Sequence, residues 1–162
     1  MAEEARTIKF ITGDVTSPQG EGLKIVAHVC NDVNGFGSGV AGAIAKKWYG
    51  VKLAYHDWHS RGENFALGMV QFVTICDDII VANMIAQHGY SYAGHPAVQY
   101  PALRMCLSKV AKKAKELEAS IHMPRICCGL GGMIWDNIEP IITDTVGEIA
   151  VIVYDLPDVL ID

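Results

Sequence analysis

The stretch from Ile25 to Trp48 constrains this chain more than any other. An apolar run, Ile25-Val26-Ala27, reads as a buried strand. Small and polar residues follow from Asn31 to Gly39 and read as a loop. Val40, Ala41, Ile44, Ala45 and Trp48 then recur at helical spacing. Glycines in such a strand-loop-helix passage let backbone approach a ligand without Cβ clashes. The new helix offers unpaired N–H groups and the positive end of its dipole, for which phosphate is the usual guest. The loop has neither the Gly-Lys-Ser/Thr of a P-loop nor a clean dinucleotide Gly-x-Gly-x-x-Gly, so taken alone it also fits a plain tight connection.

The rest of the chain bounds the possibilities. Its 162 residues suit one compact domain, and 51% apolar content is enough for a sizeable core. No apolar run approaches the roughly 18 residues that span a bilayer. Met1 to Arg6 lacks the apolar segment of a secretion signal. Five cysteines without paired spacing point to reduced thiols, a cytoplasmic setting and no zinc site. The net charge of −5 argues against binding a nucleic-acid backbone. Lys109, Lys112, Lys113 and Lys115 fall on one helix and read as its solvated face.

Strands are expected at 7–12, 24–30, 68–75, 79–86, 120–127 and 149–154, and helices at 38–49, 51–59 and 97–118. The two strands around Asp77-Asp78 read as a hairpin. Pro124 marks its strand as edge-like or interrupted. Asp136 and Glu139 resemble a capping box with Pro140 in the first turn of a further helix. Strands alternating with helices give a layered α/β domain with its site at the carboxyl ends of the strands. His56 and His59 read as surface or packing histidines.

Three motifs in order carry a specific signal. Gly13-Asp14-Val15-Thr16 follows the first strand, His28-Val29-Cys30-Asn31 ends the second, and Cys128-Gly129-Leu130-Gly131-Gly132-Met133 follows Pro124-Arg125-Ile126-Cys127. Together they resemble the macrodomain family of ADP-ribose-binding domains over roughly residues 7 to 156, with His28-x-Cys-Asn31 in the slot of the family's Asn-Ala-Ala-Asn. The resemblance implies a three-layer α/β/α macrodomain with a central mixed sheet, one domain over 1–162. It further implies ADP-ribose or an ADP-ribosylated protein as partner, with no cofactor, no metal, no membrane and a monomer. Asp14, beside Val15, would accept from the adenine amino group. Backbone groups of Gly37, Ser38, Gly39 and Val40 would hold the phosphates from one side. Cys128, Gly129, Leu130, Gly131, Gly132 and Met133 would close on them from the other. Tyr154, with Leu156 beyond it, ends the last strand where the family packs adenine; a core tyrosine with a wet hydroxyl is the alternative.

For chemistry, Asn31 matches the asparagine that orients the distal ribose. His28 reads as a general acid or base, or as a core histidine. Asp32 reads as a base or a loop cap, and Gln87 and His88 are further candidates. The motifs look most like the small hydrolytic macrodomains. Gly131 stands where the glycohydrolase type carries an aspartate, and Ala86-Gln87-His88 offers no lysine nucleophile. The implied activity is therefore a protein ADP-ribosyl hydrolase using water at the distal ribose, acting on acidic side chains. An ADP-ribose 1″-phosphate phosphatase and a non-catalytic reader are the alternatives.

Overall fold

The computed structural model describes residues 8–91, 95–129 and 132–157. Six strands, β1 (Ile8–Thr12), β2 (Lys24–Asn31), β3 (Val70–Cys76), β4 (Ile79–Gln87), β5 (Ser120–Pro124) and β6 (Val151–Asp155), form one sheet in the order β1-β6-β5-β2-β4-β3. All pairings are parallel except β3 with β4, the expected hairpin. Four helices, α1 (Gly39–Lys47), α2 (Tyr49–Arg61), α3 (Tyr100–Leu117) and α4 (Trp135–Val146), cover the sheet.

Period two along β2 sorts its side chains between two cores. Ile25 and Ala27 pack with Leu103, Leu107 and Val110 of α3 and Ile138 and Ile142 of α4. Val26 and Cys30 pack on the opposite face with Ile44 of α1 and Val51 and Tyr55 of α2. Both faces of β2 and β4 are therefore covered, which is why their sequences run apolar without alternation. Among the described residues no helix is long and apolar enough to cross a membrane.

Three local expectations need correction. The helix over 51–59 runs from Tyr49 to Arg61, and Gly62 ends it at φ +74°. The strand with Pro124 is no edge: it lies between β6 and β2. The proline is its last residue, where a missing N–H interrupts no ladder. Helix α4 starts at Trp135 without a side-chain cap, and Pro140 lies inside it. Glu139 instead accepts a 3.0 Å hydrogen bond from Trp135 Nε1.

The α1/α2 face of the sheet holds a polar relay. The Ala54 carbonyl of α2 can only accept, so Gln71 Nε2 donates to it at 3.0 Å. Gln71 Oε1 accepts from Asn83 Nδ2 at 3.0 Å, and Asn83 Oδ1 accepts from His28 Nε2 at 2.5 Å. That direction fixes the neutral tautomer of His28, and burial lowers its pKa to about 4 against the opposing Asn83 bond. His122, between Ser120 Oγ at 2.8 Å and the Tyr154 hydroxyl at 2.7 Å, is also lowered to about 4, by burial and then by Lys24.

Unfolding frees both histidines to take protons near 6.5, which the fold refuses until about 4. Their contribution is thus complete above that upper value and declines as pH falls, by up to about 3 kcal/mol for each. Urea unfolding between pH 7.5 and 4.5 should show the decline. His28→Gln, which can still donate to Asn83, should make it shallower.

Candidate functional site

A cleft of about 870 Å³ opens at the carboxyl ends of β2, β4 and β5. Its floor is made where β2 leaves the sheet. Asn31 Oδ1 accepts from the N–H groups of Val33 at 2.9 Å and Gly35 at 3.0 Å, and its Nδ2 donates to Gly35 O at 2.9 Å. The Tyr55 hydroxyl lies 2.7 Å from the Asn31 carbonyl and 3.0 Å from Oδ1. The amide so locks the turn at 31–35 and has a second Nδ2 hydrogen to offer. Phe36 then plugs into the core, 5.2 Å from Tyr55 and 5.5 Å from His28 between ring centroids.

Anchored by Phe36, the chain enters α1 through Gly37, Ser38 and Gly39, the last at φ +59°. The Gly42 N–H makes the first bond back along the helix, to Ser38 O at 3.3 Å. The N–H groups of Gly39, Val40 and Ala41 are the helix's unsatisfied donors. Residues Gly37 to Ala41 all line the cleft.

The opposite wall is the chain leaving β5. Arg125 is clamped by Asp155, Nε to Oδ1 at 2.7 Å and Nη2 to Oδ2 at 3.0 Å. Its guanidinium lies over the rings of Phe10 and Trp135, 4.9 and 5.2 Å from their centroids. Cys127 holds φ +69°, a strained conformation for a non-glycine residue, and its carbonyl accepts from Met133 N at 2.9 Å. Cys128 and Gly129 line the cleft, whereas Gly132 and Met133 close the turn behind them. Leu130 and Gly131 lie outside the described residues.

The candidate catalytic groups separate sharply. His28 is wholly buried in the relay beneath the floor and does not reach the cleft. Asp32 is spent on the neighbouring loop: Oδ2 lies 2.8 Å from His88 Nδ1 and Oδ1 accepts from Gly89 N at 2.9 Å. Burial acts to raise the Asp32 pKa, but the bonds from His88 and Gly89 and the His88 charge hold it below its ordinary value. Gln87 lines the cleft, with its Nε2 donating to Gly89 O at 2.8 Å.

The residues assigned to adenine sit on the same edge of the sheet, beyond the cleft. Asp14 accepts from Thr16 N at 2.9 Å and Thr16 Oγ1 at 2.7 Å, and Val15 is buried. Tyr154 is a core residue whose hydroxyl accepts from Gln19 N at 2.8 Å. Leu156 is exposed.

Among the lining residues that sequence reasoning missed are Asn34, Lys52, His56, Tyr90 and Arg125. Lys52 and His56 stand four apart on α2, a spacing that puts both on one helix face. Arg125 stands three residues before Cys128 in the lead-in to the second loop, which was the available signal.

A Cβ on Gly42 would stand 2.8 Å from Gly37 O and push the loop off α1. Gly42→Ala should therefore weaken binding of a diphosphate ligand about tenfold and also lower the melting temperature. Titration calorimetry beside a melting curve checks both.

No family model matches the chain. A protein of unknown function from Bacteroides thetaiotaomicron is 46% identical, 92% of this chain matching 98% of that one, with a TM-score of 0.88. The ADP-ribose 1″-phosphate phosphatase of Lodderomyces elongisporus is 24% identical over 147 residues, 84% of this chain and 91% of that protein. A macrodomain protein from Streptomyces coelicolor is 43% identical, 91% of this chain matching 98% of that one, with a TM-score of 0.82. Sharing that much sequence and the same fold with it across nearly the full length of both, this chain belongs to the macrodomain family.

Proposed function

We propose that the cleft binds ADP-ribose and that the protein is an ADP-ribosyl hydrolase, releasing ADP-ribose from modified acidic side chains. The observation that carries this reading is the pairing of two walls across one cleft. The amino end of α1 presents unsatisfied N–H groups on one side, and the loop from Arg125 to Gly129 faces it from the other. A diphosphate fits between them, with Lys52 and Arg125 as the cations of the lining.

Asn31 is the group for the distal ribose. Its remaining Nδ2 hydrogen is held in a fixed direction by the three bonds that shape the turn. Such an amide orients a ribose hydroxyl so that water meets the anomeric carbon along the line of the departing carboxylate. Orientation of this kind removes much of a barrier without covalent help. Asp32 and Gln87 support the site by holding the 87–89 segment against it.

A second reading draws on the Lodderomyces relative: the same cleft would place water at a 1″-phosphate instead. A reader without turnover is the third.

Incubation with glutamate-ADP-ribosylated protein and, separately, with ADP-ribose 1″-phosphate distinguishes the three, with free ADP-ribose followed by mass spectrometry. Release from the protein is expected. Release from the phosphate ester alone would select the phosphatase. Binding without release from either would leave the reader. Asn31→Ala is expected to slow release by about 100-fold.

A further inference from the structure

Resting on the hydrolase reading, we infer that His56 is the general base that takes the proton from the attacking water. Helix α2 brings its imidazole to the cleft wall beside the turn that Asn31 shapes. His56 Nδ1 lies 2.6 Å from Asn34 Oδ1. The Asn34 oxygen can only accept, so Nδ1 carries the proton and Nε2 keeps its lone pair.

Asn34 adopts φ +68°, a left-handed conformation that asparagine tolerates better than most residues. The ring is braced by Tyr55 at 5.5 Å and Phe36 at 6.5 Å between centroids. A fixed tautomer, a ring held by its neighbours and a place in the cleft lining occur together in this residue. Of the earlier candidates, His28 lies beneath the floor and Asp32 is bound on both oxygens.

The surroundings of the ring disfavour its protonated form. Burial lowers its pKa first, then Lys52 and His59 on the same helix. Against it, the turn presents Asn34 and Phe36, neither of which ionises, and the far wall presents Arg125. Asp32, the nearest carboxylate of that turn, is turned to His88.

The step balances without a co-reactant. Water oxygen bonds to C1″ while its proton passes to Nε2. The bond from C1″ to the ester oxygen breaks, and the electron pair leaves on the side-chain carboxylate. The imidazolium then releases its proton to solvent.

The test is the pH profile of kcat/KM on glutamate-ADP-ribosylated protein for the wild type, His56→Gln, His56→Ala and Lys52→Met, with ADP-ribose binding measured by calorimetry. The wild type should lose rate on an acidic limb below 6.5, the ordinary histidine value. His56→Gln should lose about 100-fold in rate and the limb itself, with ADP-ribose affinity kept. Added imidazole should restore part of the rate to His56→Ala. Lys52→Met should move the limb upward, since a cation that disfavours the protonated ring is gone. A His56→Gln enzyme with wild-type rate and limb overturns the base and leaves the hydrolase standing. An inactive wild type that binds ADP-ribose overturns the hydrolase reading and the base with it.

Discussion

The side chain of Asn31 is the interaction on which the site depends. At Cys30 and Asn31 the register between β2 and β4 slips, and β2 runs out of partners. An amide is suited to that place because it accepts and donates at once. Its oxygen takes two backbone N–H groups and its nitrogen gives to a backbone carbonyl, so the turn at 31–35 replaces the lost ladder within one residue. An aspartate would set a second acceptor against Gly35 O. The tight turn in turn requires glycine at 35, since a Cβ there would run into Tyr90 and stand 2.9 Å from Asn31 Nδ2. Everything downstream is delivered by this turn: Phe36 into the core, Gly37 to Gly39 along the cleft, and α1 with its amino end facing inward.

The second organising constraint is electrostatic. The chain carries a net charge of −5, yet its cleft faces a ligand of the same sign in the proposed function. The conflict is local in scale. At physiological salt the screening length is about 8 Å, so scattered surface carboxylates count for little inside a cleft lined by two cations and a helix amino end. Asp155 offsets much of the Arg125 charge, and the flanking rings of Phe10 and Trp135 fix its plane. Arg125 thus serves as a rigid wall more than as a source of field. Lys52, on the opposite flank, can extend toward an anion from a helix that is itself anchored by Val51, Tyr55 and Trp58.

Much of this was legible from the residues, and the failures have definite physical causes. Strand and helix positions followed from hydrophobic period, and the layered architecture from their alternation. Pro124 misled because strand proline is judged by its missing N–H, and only the end of β5 shows that none is needed. Asp136 and Glu139 had the spacing of a capping box, but the indole of Trp135 took the Glu139 carboxylate instead. His28 could have been placed correctly: its even position along β2 shares a face with Val26 and Cys30, which belong to a core. The partner that neutralises Asp32 lies 56 residues away on another loop, beyond any local reading. His56 was undervalued because a histidine on a polar helix reads as surface until the loop packed beside it is known.

These placements sort the ionisable groups near the cleft by what each is free to do. His28 is sealed in a relay whose direction is dictated by a backbone carbonyl, so Nε2 already carries its proton and a second would have to sit on Nδ1, which is buried with no hydrogen-bond partner. Asp32 spends its charge joining two loops. His56 alone of the three stands on a helix in the cleft lining, tied to the Asn31 turn by a single side-chain bond to Asn34. A proton acceptor mounted in that way can change without collapsing the turn, and the turn can hold a ligand whatever the acceptor is. Binding then rests mainly on the β2–α1 passage and the Arg125 wall, with Lys52 adding a cation, and the chemistry on His56 of α2. A fold built in this manner can pass between reader and hydrolase through substitutions on the one half-buried face of α2 that meets the cleft.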